Sequence, residues 1–516
     1  MATAIPTITA DLHSASGYTW IGGAYLLANA ASAPIWAKLS DIWGRKPILL
    51  LAVAWFFVGS IICAAAINMS MLLAGRALQG TAGGGLIQLS IITISDLFSM
   101  RNRSLYLGCT ECMWALAGAI GPLLGGAFSE YVTWRWNYWI NLPVCGVTFI
   151  LLFFFLDVHN PRTKVVEGLR AIDWYGSFAI LALTLMLLLG LDFGGETFPW
   201  KSAKVICLIV FGALCSLLFV FCEKRLAKYP LMPLSLFKNV SNVAALVVTF
   251  THGFVGFPPF LSLFFCVHST DQEQVFIASE YYLPLYFQSV QQASPMRSGV
   301  LVLPLIIIEA LMGFLAGILI HMTGRYREII WFGMLLATLG NGLYIMLGES
   351  SSLGQIVGFQ IVMGLGSGLI FEPPVIAVQS MTAQRDTAAV TAAQGFIRNL
   401  ATSASIVIGG VIFQNSMGQQ VPKLRAAGLP NSLVDELSGD LAAAGVRTIK
   451  SIKDPIHLLA VKRAYSQSLR NMWIFYTAMS ACGLLASFFI RRRKLSKKHT
   501  ETRTGLRREK PQEGDA

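Results

Sequence analysis

Apolar runs about as long as a membrane-crossing helix recur along almost the whole of this chain, and no other feature limits its fold so strongly. A bilayer core offers backbone amides no water, so only helices or closed barrels cross it, and a helix needs roughly 20 apolar residues to do so. Runs of that kind fall near residues 18–37, 47–67, 71–93, 105–128, 141–156, 174–191 and 203–221. After a less regular region at 243–290 they resume at 299–320, 329–347, 353–378, 388–413 and 471–490. Composition agrees, with 55% of the 516 residues hydrophobic and only 13% charged. The expected class is an all-α polytopic membrane protein. The longest polar stretches, 157–173, 414–470 and everything after Arg491, leave no soluble domain, so any chemistry takes place among helices.

Lys and Arg gather in alternate connections: Arg45 and Lys46; Arg101 and Arg103; Arg162, Lys164 and Arg170; Lys224, Arg225, Lys228 and Lys238; Arg325 and Arg327; and the tail RRRKLSKKHTETRTGLRREK. Cytoplasmic loops carry such an excess, which places this set and the C-terminus in the cytoplasm. The connection at 414–470 is long enough to cross whatever its charge. The net charge of +12 is thus spread over helix ends and the tail. It forms no folded basic face with interleaved aromatics, so nucleic acid is not an expected partner, whereas anionic inner-leaflet lipid is expected at the tail. Most of the nine cysteines lie inside apolar runs and read as small packing residues. Cys109 and Cys112 form a CxxC without a second pair nearby, which is poor support for metal or redox use. The seven histidines are scattered. Neither a metal site nor a cofactor nor catalytic residues are therefore expected, and the chain is not read as an enzyme.

Several motifs carry a resemblance: the turn Lys38-Leu-Ser-Asp41-Ile-Trp-Gly44-Arg45-Lys46; the in-span Gly75-Arg76-Ala-Leu-Gln79-Gly80; the stretch Ala117-Gly-Ala-Ile-Gly121-Pro122-Leu-Leu-Gly125-Gly126; and the aromatic-rich segments 134–143 and 280–288. Together they resemble the fourteen-spanner drug:proton antiporter branch of the major facilitator superfamily, in its fungal form. The resemblance covers nearly the whole chain. It implies two pseudo-symmetric six-helix bundles plus two extra central helices.

Through that resemblance Asp41, Gly44, Arg45 and Lys46 form a gating turn, in which glycine permits the tight bend and Asp41 pairs with Arg45 in a latch that breaks and re-forms as the bundles rock. Arg76, costly within a span unless it faces the interior, has Gln79 one turn along as a neutral partner. Gly121, Pro122, Gly125 and Gly126 resemble the antiporter signature, with small residues for close helix approach and proline for a bend. Aromatic density at 134–143 and 280–288 also suits anchoring at the membrane interface.

Antiport needs a carboxyl whose protonation follows the access state. Glu111, Glu280, Glu309 and Glu372 lie inside spans, with Asp192, Glu196 and Asp386 near helix ends. Glu280 and Glu372 sit in contexts resembling the family and are the favoured proton carriers, with Arg76, Gln79 and Arg398 as coupling partners. Glu111 and Glu309 fall where uncharged residues are expected, and a helix–helix hydrogen bond explains either equally well.

The expected organisation is an N-terminal bundle at 1–156, a connector with two additional spans at 157–240, a C-terminal bundle at 241–413, an extracytoplasmic loop at 414–470, a last span at 471–490 and a basic, unstructured tail at 491–516. Two stretches depart from the family. Residues 1–8 resemble only the second half of its first span, so the expectation is a start placed too late. Residues 256–275, GFPPFLSLFFCVHSTDQEQV, interrupt a sequence that otherwise joins THGFV to FIASEYYLPLYFQ. A retained intron or a misplaced gene boundary is the expected origin, and a half-span beside the substrate cavity the alternative. The expected function is proton-coupled export of small organic molecules by a monomer, in the plasma membrane or alternatively the vacuolar membrane. Uptake of amino acids or iron chelates on the same fold, or a non-transporting sensor, are the alternatives.

Overall fold

The computed structural model describes residues 8, 11–12, 17–161, 163–194, 198–227, 229–232, 234–255, 278–438, 446–449, 451–499 and 505. Helices α1 (Gly17–Trp43), α2 (Arg45–Ala64), α3 (Met69–Leu97), α4 (Met100–Ala127) and α5 (Asn141–Phe155) make the N-terminal bundle. The pair α6 (Trp174–Phe193) and α7 (Ala203–Phe221) follows. The C-terminal bundle holds α8 (Val240–Val255), α9 (Ala278–Ser289), α10 (Pro295–Thr323), α11 (Arg327–Tyr344), α12 (Leu353–Leu369), α13 (Pro373–Ser380), α14 (Thr387–Ala426) and α15 (Pro455–Ser487). Among the described residues, 7 helices are long and apolar enough to cross a membrane. The added pair packs on itself, and α6 also touches α1 and α14, which sets it beside the seam between the bundles.

Local sequence fixes the helix ends. Asn68 and Ser202 cap α3 and α7 by accepting from Met71 N and Val205 N, and Ser352 with Gln355 forms a reciprocal capping box on α12. Gly324 closes α10 in the left-handed conformation at φ 69°. Pro373 and Pro374 cannot donate backbone hydrogen bonds, so the apolar span Leu353–Ser380 breaks between α12 and α13, and the break falls at Glu372.

Two polar stretches fold differently from the expectation. The presumed loop at 414–470 is helical at both ends, since α14 runs on to Ala426 and α15 already begins at Pro455. The polar residues there lie on amphipathic helices whose buried Phe413, Met417, Leu424, Val461, Tyr465 and Leu469 share one core. Phe413 meets Tyr465 at 5.8 Å, and Asn471 Nδ2 donates to Ser416 Oγ at 3.2 Å. The tail is also placed against the protein as far as His499 rather than lacking structure, because Ile490 and Leu495 bury their side chains.

Segment 256–275, like most of residues 1–16, lies outside the described residues. What flanks it is informative. Rising along α14, Thr402 Oγ1 donates to Gly253 O at 2.9 Å and Ser405 donates to Phe254 O; two turns on, Phe413 meets Tyr282 of α9 at 6.4 Å. Along antiparallel α15, Tyr476 meets Phe254 at 6.0 Å and Trp473 meets Tyr286 at 6.0 Å. The two short helices therefore occupy successive levels of one column. A chain lacking 256–275 is expected to give a monodisperse peak by fluorescence size-exclusion chromatography at least as large as that of the full chain. Collapse of that peak would mean the segment is needed for folding.

Candidate functional site

Arg45 opens α2 directly after Gly44, whose φ of 95° favours glycine. The guanidinium is buried, with Nη1 on Asp41 Oδ1 and Nε on Asp96 Oδ2, both at 2.6 Å, and Nη1 also donates to Ser40 Oγ at 2.7 Å. Asp96, on α3, had no signal in the sequence beyond being an acid at a helix end. All three partners belong to the N-terminal bundle, so the latch ties α1, α2 and α3 together and does not itself cross the seam. Lys46 stands apart, its Nζ 5.7 Å from the Phe153 ring centre. A Cβ on Gly44 would lie 2.9 Å from Pro161 Cδ. Gly44→Ala is expected to cost about 1–3 kcal/mol through strain and this clash, seen as an earlier thermal unfolding midpoint.

The seam itself is closed at one end. Arg103, 1% exposed, donates from Nη1 to Gln379 Oε1 at 2.6 Å, and Gln379 Nε2 donates to Ser95 Oγ at 3.0 Å. Arg101 gives its guanidinium to the His321 and Met322 carbonyls at the end of α10, and Ser104 Oγ donates to Gly317 O at 3.1 Å. Higher up, α4 and α10 approach closely: a Cβ on Gly108 would lie 3.2 Å from Phe314 O, and one on Gly313 3.1 Å from Glu111 Cγ. These bonds join one bundle to the other at the end where Lys and Arg collect.

At the top of this closed zone sit the acids. Glu111 of α4 and Glu372 at the α12–α13 break are 6% and 4% exposed, and their carboxyl groups are close neighbours across the seam, each acting on the other's electrostatics. Two carboxylates so placed repel when both are ionised, and a single proton on either relieves that repulsion. Arg398 of α14, 8% exposed, donates from Nη2 to Phe371 O at 2.7 Å and lies 4.3 Å over the Phe371 ring. Its charge acts on both acids through space. Glu309 of α10, 5% exposed and one turn before Gly313, adds a third carboxyl to the electrostatics of Glu111. Glu111 Oε1, Glu372 Oε2 and Arg398 Nε are buried without hydrogen-bond partners among the described residues. His252 of α8 meets the Phe371 ring edge-on at 5.6 Å.

The expected residues thus separate into groups. Glu372 and Arg398 lie where the Arg398 charge acts on the carboxyl, and Glu111, which was read as equally well explained by a structural bond, lies with them. Arg76 and Gln79 form their own unit in the N-terminal bundle: Arg76 donates from Nη1 to Gln79 Oε1 at 2.9 Å and from Nε to Ile21 O at 2.9 Å, and it lies 4.5 Å over the Tyr25 ring. Gln79 Nε2 in turn donates to Ser60 Oγ at 2.7 Å. The side chains of Glu280, Gly121, Pro122, Gly125 and Gly126 lie outside the described ones, although α9 and α4 carry those positions. Among the described residues no cluster of His, Cys, Asp or Glu is arranged to hold a metal ion.

Two helical bundles meeting at a polar seam, with membrane-length helices and charged groups buried between them, define a membrane transporter. The chain belongs to the major facilitator superfamily, whose family model matches residues 1–406. It is 44% identical over 513 residues to efflux pump dotC of Dothistroma septosporum (strain NZE10 / CBS 128990), covering 99% of this chain and 84% of that protein. MFS-type transporter ppz2 of Metarhizium majus (strain ARSEF 297) is 42% identical over 98% of this chain and 84% of its own length. Efflux pump FUS6 of Gibberella fujikuroi (strain CBS 195.34 / IMI 58289 / NRRL A-6831) is 35% identical over 99% of this chain and 88% of its own. The crystal structure of the human organic anion transporter MFSD10 (TETRAN) shares the fold, with a TM-score of 0.53 at 14% identity, covering 95% of this chain and 89% of that one.

Proposed function

We propose that this chain is a proton-coupled efflux pump that exports small organic molecules by alternating access between its two bundles. The observation that supports proton coupling is the buried Glu111–Glu372 pair, two neighbouring acids of which each bundle contributes one. With one proton between them the carboxyls hold the bundles together. With none, two like charges at contact distance repel by about 5 kcal/mol at an effective dielectric of about 20. Moving a two-state equilibrium from 1:99 to 99:1 takes about 5.5 kcal/mol, so gain or loss of this single proton is enough to switch the seam. The Arg398 charge beside the pair offsets whichever acid is ionised, and Phe371 fixes the guanidinium by hydrogen bond and ring contact.

Export rather than uptake is favoured by the relatives, of which dotC and FUS6 are both named efflux pumps. The proposed pump works as a monomer in the plasma membrane, takes its energy from the proton gradient, and needs no cofactor. The test is accumulation of a panel of dyes and fungal toxins in cells lacking their own pumps, with and without a protonophore. Efflux that the protonophore stops is the expected result. Efflux that survives it would remove proton coupling, and accumulation above the empty-vector control would point to uptake.

A further inference from the structure

Two acids and two bases of the N-terminal bundle lie at the closed end of the seam, Asp41 and Asp96 with Arg45 and Arg103. The charges balance, but the contacts do not. Arg45 takes both acids, Asp41 through Nη1 and Asp96 through Nε. Among the described residues no acid touches Arg103, and neutral groups hold it. Its Nη2 donates to the Ser95 carbonyl and, at 3.4 Å, to Phe98 O, while its Nη1 crosses the seam to Gln379 Oε1 at 2.6 Å. Asp96 lies near enough for its charge to act on Arg103 through space. Asp96 Oδ1 and Arg103 Nε are both buried without hydrogen-bond partners among the described residues. Buried charges are ordinarily paired, so a half-used carboxylate beside an under-used guanidinium marks a contact that the closed seam withholds.

We propose that Arg103 exchanges partners as the seam opens at this end, leaving Gln379 of the C-terminal bundle for Asp96 Oδ1 of its own. The placement of the residues decides which contact breaks. Ser95 and Asp96 stand near the end of α3 and Arg103 in the first turn of α4, so these three travel together. Gln379 belongs to α13 and is tied to α14, its Nε2 donating to Thr391 Oγ1 at 2.8 Å. Separation of the bundles therefore takes Gln379 away and leaves Arg103 beside Asp96. The exchange keeps the guanidinium satisfied in both states, so neither is penalised by a stranded buried charge. An amide at position 379 suits this role. Its oxygen accepts from Arg103 while the seam is shut, yet it is a weaker partner than a carboxylate and gives way to one when the bundles part. A carboxylate at 379 would instead hold Arg103 across the seam.

This inference rests on the alternating-access part of the proposed function but not on protons or substrate, and its test needs neither. Ala388 is buried in a small cluster with Ala37 and Ile92 of the opposite bundle, so a cysteine there reports opening of the seam. In the purified full-length protein with its native cysteines replaced, the readout is the rate at which a maleimide labels Ala388→Cys. Gln379→Glu gives Arg103 a charged partner across the seam, with the Ser95 and Thr391 hydroxyls able to donate to it, and is expected to slow labelling about tenfold. Gln379→Leu removes the cross-seam bond and is expected to speed labelling several-fold. Asp96→Asn keeps an acceptor for Arg45 but takes away the charge that receives Arg103, and is expected to slow labelling as well. A mere packing defect would speed labelling in all three, so the opposite signs carry the test. With monodisperse proteins, a rate that fails to fall in Gln379→Glu or Asp96→Asn, or to rise in Gln379→Leu, would overturn the exchange. If no version is labelled at all, alternating access falls and the exchange with it. The expected signs in a protein whose efflux ignores a protonophore would count against proton coupling and leave the exchange standing.

Discussion

Replacing Glu111 with glutamine is expected to abolish uphill, proton-driven efflux while leaving a folded, membrane-inserted protein. The amide has the shape of a protonated carboxyl and can still donate to Glu372, so the closed seam loses little. What disappears is the unprotonated state in which two carboxylates repel, worth about 5 kcal/mol in the switching argument. Efflux driven by an imposed pH step in proteoliposomes is expected to fall on the order of tenfold or more, and any residual downhill movement to lose its pH dependence. Glu372→Gln should reproduce this from the other side of the seam. Because the two acids are proposed to act as one pair, the double variant should be no worse than either single one. Additive losses would mean that the acids work separately, and a Glu111→Gln protein that still pumps uphill with normal pH dependence would remove Glu111 from the coupling step.

Much of this architecture was legible in the residues. Apolar runs give the helices, because the transfer energies they follow from act locally. Gly44 and its pair Asp41–Arg45 were legible for the same reason, four residues apart on one turn. Asp96 was not, since its role depends on α3 lying against α2, a contact between positions 51 residues apart. Glu111 was left with a structural bond as an equal explanation because an isolated acid in a span has several, and only the packing of α4 against the α12–α13 break brings it near Glu372. The polar run after Phe413 was misread for a related reason. A helix that leaves the membrane and packs one face on a neighbour looks, by composition alone, like a loop. The tail illustrates the limit from the other direction: RRRKLS reads as solvated charge, yet the structure holds it by backbone groups and by the two apolar residues Ile490 and Leu495, which a charge count ignores.

Arg45→Ala is expected to have the largest effect on stability. The guanidinium is 2% exposed and is the counter-charge for Asp41 and Asp96, whose side chains are 22% and 7% exposed. Cutting it away leaves a carboxylate buried at Asp96 with its Oδ2 bond lost, and removing one member of a buried pair costs about 3–5 kcal/mol. Asp41 is more exposed and can turn toward water, so most of the penalty falls at Asp96. Arg45→Lys is expected to recover only part of the loss, because one ammonium on a flexible stem does not reproduce a planar fork aimed at Asp96 through Nε and at Asp41 and Ser40 through Nη1. Arg45→Met combined with Asp96→Leu removes both charges for similar volume and is expected to regain most of the thermal midpoint, as buried pairs exchanged for apolar residues commonly do. Unfolding midpoints in detergent for the single and paired variants decide the matter. If the double variant is as unstable as Arg45→Ala, the cost lies in packing around Arg45. If Arg45→Ala unfolds with the native protein, the ion pairs contribute nothing measurable to holding α1, α2 and α3 together.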